Sequence, residues 1–191
     1  MNTRQAQLLE GLLCLLPEED APVCRAAAGI LDDLGYVPHK LPTQGYILSY
    51  RHAKAKVAIA KLGIRRQRQG KARERLFVAV RFPNCQTYQP RFLQAMLQDI
   101  ADSNEQYCEA NTGGIIPEDS TPKNRCRLES CTVCTCGRMC YYHQYPDGRE
   151  LLRCGAYHVT LLDPTLGDMT QVEAQLSEQH AAFERLWAAQ E

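Results

Sequence analysis

The sequence predicts an α+β domain: an antiparallel sheet built from a meander and a hairpin, helices packed mainly on one face, and a cysteine-rich zinc-knuckle hairpin. Three observations predict it. Apolar residues recur at three- and four-residue spacing at both ends of the chain and in its middle, the period of amphipathic helices. Between those stretches lie runs that alternate apolar and polar, the period of half-buried strands. Six of the ten cysteines fall between Cys126 and Cys154, a density that core filling rarely produces. Helices, then a meander, a helix, a hairpin and a helix suit helices laid on an antiparallel sheet.

Asn2 or Thr3 caps a first helix that runs to about Leu16, with Leu8, Leu9, Leu12, Leu13 and Leu16 as a wide apolar stripe. Leucine this dense reads as core or as the surface for a protein partner. Pro17-Glu18-Glu19-Asp20 breaks that helix and opens a second, whose Val23, Ala27, Ile30, Leu31 and Leu34 keep helical spacing and which Gly35 ends. Residues 1–34 thus form a helical pair. Tyr46 to His52, Val57 to Ile64 and Leu76 to Phe82 read as a three-stranded antiparallel meander, with Gln67 to Arg73 as a polar, basic hairpin tip.

Arg91 to Ser103 predicts a helix with Phe92, Leu93, Met96, Leu97 and Ile100 inward. Residues 104–155 read as a long loop followed by the cysteine-rich insert. Within it, Pro146-Asp147-Gly148 is a turn signal, because Pro presets φ and Gly accepts a positive φ. Met139–Tyr145 and Arg149–Cys154 are then the arms of a hairpin that sets Cys140 opposite Cys154. The second arm is expected to continue through Tyr157, Val159, Leu161 and Leu162 into the main sheet. Thr170-Gln171-Val172-Glu173 has the form of a capping box and starts a last helix with Val172, Leu176, Phe183 and Trp187 on one face. The 191 residues suffice for one core, so a single domain over 1–191 is expected.

This order of elements, over about residues 20 to 105 with the last strand and helix, resembles the small bacterial α+β domains of the YdhG and YjbR type. The resemblance implies a fold and carries no activity with it. The cysteine-rich insert departs from the common form of those domains.

Net charge is zero, and no apolar run reaches the roughly 20 residues that a membrane span requires. Met1-Asn2-Thr3-Arg4-Gln5 leads directly into an amphipathic helix and lacks the apolar core and cleavage site of a secretory signal. These features point to the cytoplasm, where reduced cysteines favour metal over disulfide.

A close Cys-x2-Cys pair on a loop plus two cysteines facing each other across a hairpin are what structural zinc asks for, a tetrahedral cage of four thiolates. Cys131, Cys134, Cys140 and Cys154 are the first choice, with Cys126 and Cys136 as substitutes. Three alternatives stay open. Cys126-x4-Cys131-x2-Cys134 resembles the cluster-binding segment of plant-type ferredoxins over nine residues, which implies an iron–sulfur cluster, although Leu128 and Glu129 stand where that loop favours small residues. Cys131 and Cys134 also have redox-dithiol spacing, yet Thr132 and Val133 favour extended chain over the helix start that lowers a thiol pKa. Disulfides or inert thiols complete the set.

The charge is unevenly spread. Pro38 to Gln98 holds thirteen Lys and Arg against the single acid Glu74. Arg51, Lys54, Lys56 and Lys61 fall on two adjacent predicted strands, and Arg65, Arg66, Arg68, Lys71, Arg73 and Arg75 crowd the turn beyond. A meander is expected to bring these to one end and one face of the sheet, interleaved with Tyr46, Tyr50 and His52. Cations for phosphate and rings for stacking suit single-stranded nucleic acid; neutralisation by the acidic helices is the competing outcome.

No paired-carboxylate motif, phosphate loop, nucleophile elbow or HExxH occurs. Cys154 and His158 would stand about 13 Å apart on a straight strand, too far for one proton transfer. Tyr141, Tyr142 and Tyr145 are read as packing around the metal loop; His39 and His52 flank the basic sheet, where they would assist phosphate binding or be structural or solvent-facing, and His180 shows no sign of a role. The sequence therefore points to a non-catalytic, zinc-stabilised binding protein whose basic sheet engages nucleic acid or another polyanion. The alternative is a thiol or iron–sulfur redox protein using Cys126–Cys154.

Overall fold

The computed structural model describes residues 2–43, 45–52, 58–65, 75–102, 140–144, 150–154 and 157–188. Its elements are α1 (Thr3–Leu13), α2 (Ala21–Asp33), β1 (Tyr36–Lys40), β2 (Ile47–His52), β3 (Ala58–Arg65), β4 (Arg75–Val80) and α3 (Pro90–Asp102). They continue with β5 (Cys140–Gln144), β6 (Glu150–Cys154), β7 (Val159–Leu162), a 3-10 turn (Leu166–Asp168) and α4 (Met169–Ala188). The fold is α+β. A five-stranded sheet runs β1-β2-β3-β4-β7 with every pair antiparallel, and β5 and β6 form a separate hairpin.

Local chemistry explains most boundaries. A reciprocal capping box satisfies two donors at the start of α1. In it the Gln5 amide donates to the Asn2 side chain at 3.0 Å, and the Asn2 amide donates to the Gln5 side chain at 2.7 Å. α1 stops at Leu13, a turn short of Leu16. Gly35 follows α2 at φ +78, the left-handed conformation that glycine adopts without a Cβ penalty.

The meander is larger than expected. β1 adds a fourth strand, and Pro38 is tolerated there because β1 lies at the sheet edge. The second hairpin arm is not one continuous strand: Cys154 of β6 pairs with Cys140, whereas Val159 of β7 pairs with Val80 in the main sheet. The last helix starts one residue before Thr170. Its cap lies a turn earlier, where Thr165 and Asp168 bond reciprocally on the 3-10 turn.

Cross-strand register divides the sheet into two faces, since directly paired residues point the same way. Leu48, Leu62 and Val78 belong to one face, with Tyr36, Tyr50, Ala60, Leu76, Val80, Val159 and Leu161. All of these join one core cluster with Leu12, Leu31, Phe92, Met96 and Leu176 from the four helices. The other face carries Val37, Ile47, Phe77, Ala79 and Leu162, and none of these five belongs to that core. Ile59 is the exception. It sits at a register shift between β2 and β3 and reaches the core.

α4 also fastens the irregular chain between β4 and α3. The Asn84 amide donates to the Gln179 side chain at 2.9 Å, and the Gln86 amide donates to Glu178 at 2.7 Å. The Gln89 amide donates to Gln175 at 2.8 Å, and the Arg91 amide donates to Gln171 at 2.9 Å. The four acceptors stand at i, i+4, i+7 and i+8, a row on one helix face. Backbone donors without a strand partner are thereby satisfied by side chains. Cys85 lies buried under this seam, and burial pushes its thiol up to about 12, so it is an inert packing group.

Candidate nucleic-acid face and cysteine hairpin

The face away from the helices is assembled by register alone. One row across four strands pairs Ser49 with Lys61, Lys61 with Ala79 and Ala79 with Thr160, and His39 of β1 extends it. Two residues toward the β2–β3 end lies Arg51, paired with Val37. Two residues toward the other end lies the row Ile47–Gly63–Phe77–Leu162, and beyond it Arg65 opposes Arg75. None of the residues in these five strands is acidic.

Arg51, Lys61, Arg65 and Arg75 therefore share a face, as expected. They do not converge on one end. Arg51 pairs with Ala58 at the start of β3 and Arg75 with Arg65 at its end, so the cations are strung along the whole length of that strand. Lys54, Lys56, Arg66, Arg68, Lys71 and Arg73 lie outside the described residues.

The expected aromatic partners are on the wrong side. Tyr50 is fully buried in the helix-side core. Tyr46 donates its hydroxyl to the Leu8 carbonyl (2.9 Å) and carries the Lys40 ammonium over its ring, 4.2 Å from the centroid. His52 stacks on Trp187 of α4, centroids 4.5 Å apart at 29°. It belongs to a cluster in which Tyr36 Oη lies 3.1 Å from His180 Nδ1 and His180 Nε2 lies 3.6 Å from Glu184. Burial raises the Tyr36 phenol well above its usual range. These histidines thus have a structural part, tying α4 to the β1–β2 edge.

The ring on the basic face is Phe77, which the reading of the sequence passed over. The signal was present: Leu76, Val78 and Val80 inward require Phe77 outward. Opposed cations repel across a pair, and Arg75 is relieved by an ion pair with Asp163, whose φ is +48. Neutralisation by the protein itself thus reaches this end of the face.

His158 adjoins the same face. Its Nε2 is buried with no hydrogen-bond partner among the described residues. Burial, reinforced by Lys61 and Arg81, lowers its pKa from 6.5 to about 3, so the imidazole is neutral at pH 7.

At the hairpin, Cys140 and Cys154 are direct partners. Residues opposed in this way have Cβ atoms about 4.5–5.5 Å apart, which suits the roughly 3.8 Å between two thiolates on a tetrahedral zinc with bonds of about 2.3 Å. Cys126, Cys131, Cys134 and Cys136 lie outside the described residues, and so does the rest of the expected cage. Among the described residues no group of three or more His, Cys, Asp or Glu can hold a metal. Tyr141 packs on the main core, against Phe82 and Tyr88 at 5.0 and 6.1 Å, and the metal loop it is expected to pack around lies outside the described residues.

Among the described residues no helix is long and apolar enough to cross a membrane. No protein-family model, curated protein or solved structure matches the chain.

Proposed function

We propose that this protein is a non-catalytic, zinc-stabilised binding protein whose helix-free sheet face engages nucleic acid or another polyanion. The observation that carries this reading is the sheet itself. Five strands without one acidic residue place Arg51, Lys61, Arg65 and Arg75 on the face away from the helix-side core, a face whose central row is buried at Ser49 and Ala79. Such a surface attracts phosphates and releases their counterions on binding.

Two measurements test it. Titration of labelled nucleic acid at several salt concentrations is expected to give an affinity that falls steeply with salt, and Lys61→Ala is expected to reduce that slope by about 1. An affinity independent of salt would remove the polyanion reading. Elemental analysis of protein purified without added metal is expected to show zinc, which Cys134→Ser should release together with part of the folding stability, because binding a structural metal is folding free energy. Iron with acid-labile sulfide in place of zinc would make the cysteine segment a redox centre.

A further inference from the structure

We infer that Phe77 is a base-stacking platform and that this face takes single-stranded nucleic acid in preference to duplex or bare polyphosphate. The inference rests on the basic-face reading above and narrows its ligand.

The geometry begins at Gly63. It sits mid-strand in regular register between Ile47 and Phe77, away from the register shift at Tyr50/Arg51, and its φ is not positive. Neither a turn nor a bulge accounts for a glycine there, and glycine weakens a strand interior. Close approach does account for it. A Cβ on Gly63 would lie 2.9 Å from Phe77 Cε1 and 3.0 Å from Phe77 Cζ, and also 2.9 Å from the Tyr46 carbonyl oxygen. The Phe77 ring therefore lies down on the β3 backbone, in a slot that any other residue at 63 would fill.

A ring held this way contributes little to the core. Phe77 is partly exposed and belongs to no part of the helix-side cluster, and its row neighbour Leu162 is 43% exposed. Large apolar side chains displayed in line on a sheet, with nothing from the core upon them, mark a contact surface. Its charge setting says for what. Lys61 lies in the next row on one side and Arg65 in the next row on the other, opposite Arg75, which is already paired with Asp163; each lies two residues along the strands. Thr160 adds a partly exposed hydroxyl in the Lys61 row, whereas Ser49 and Ala79 of that row are buried. A ring flanked on both sides by cations matches a base flanked by its two phosphates. A duplex keeps its base faces stacked inside, and polyphosphate has none, so neither uses the ring.

The test is competition and direct titration by fluorescence anisotropy, with a labelled oligothymidylate, a duplex of equal length and inorganic polyphosphate as probes. Full-length protein is expected to bind oligothymidylate most tightly. Phe77→Ala should weaken that binding roughly 5- to 160-fold, the equivalent of one stacked base, leave polyphosphate affinity unchanged, and be rescued by Phe77→Tyr. As a check independent of any variant, the Phe77 ring protons should shift on adding oligothymidylate and stay in place with polyphosphate. Equal loss for both probes, no loss for either, or unmoved ring protons would overturn the stacking role while leaving the basic face intact. A wild-type protein that binds none of the three would sink the basic-face reading, and the stacking role with it. So would a concentration-dependent dimer that shields Phe77 and resists oligothymidylate, since a second copy would then occupy the face.

Discussion

Tyr141→Ala is expected to lower unfolding free energy by about 3–5 kcal/mol, the range for removing a large buried ring. Tyr141→Phe is expected to lower it by about 1–3 kcal/mol. The first figure follows from burial, since Tyr141 has no exposed surface and its ring meets Phe82 edge-on at 79°. The second follows from the hydroxyl. It accepts the Phe82 amide at 3.1 Å and donates to the Tyr157 carbonyl at 2.8 Å. Phenylalanine keeps the packing and strands the buried Phe82 amide, where an unmade hydrogen bond costs more than a made one returns, while the Tyr157 carbonyl is only part-buried. Tyr141 is on β5, so the same change should loosen the cysteine hairpin from the sheet. Urea unfolding reads the energy, and amide exchange in β5 and β6 reads the loosening. A Tyr141→Phe protein with an unchanged urea midpoint would show that the hydroxyl bonds contribute nothing.

Acid should destabilise the fold through His158. Its pKa in the folded protein is about 3, against an ordinary 6.5, owing first to burial and then to Lys61 and Arg81. Below pH 6.5 the unfolded chain takes up a proton that the folded one refuses, so stability falls as pH drops and continues to fall until about pH 3. The slope approaches about 1.4 kcal/mol per pH unit, which amounts to about 2 kcal/mol by pH 5. Above pH 6.5 the group is neutral in both states and contributes no slope. Urea midpoints from pH 7.5 down to 4.5, compared between wild type and His158→Gln, isolate this group from the carboxylates that titrate in both proteins. Parallel curves would show that His158 does not carry the acid sensitivity.

Much of the fold was legible because periodicity and end signals agree over long segments. α1, α2 and α3 follow their apolar stripes, and β2, β3 and β4 their alternation. β1 was missed because Pro38 removes a ladder donor and His39 and Lys40 leave only a few residues to alternate. The Cys140–Cys154 register was legible because a Pro-Asp-Gly turn fixes the centre of its hairpin. The basic face was legible in composition and misread in geometry. Tyr50 and Arg51 are adjacent on one strand and must face opposite ways, so Tyr50 was never available beside the cations. The length of β3 sends Arg51 and Arg65 to opposite ends. Parity and strand length, both present in the sequence, were the missing steps. Burial of His158 was not legible, because it depends on which side chains from other strands surround it.

The strand order also fixes a sequence of events during synthesis. β1 to β4 pair with their chain neighbours, the local contacts that form fast. The outer edge of β4 waits for β7, since Val80 pairs with Val159. At ordinary rates of translation the long intervening stretch takes on the order of ten seconds to emerge. For that interval an edge bearing Leu76, Val78 and Val80 stands open to other nascent chains, and Arg75 and Arg81 at its two ends are the charged gatekeepers that discourage such pairing.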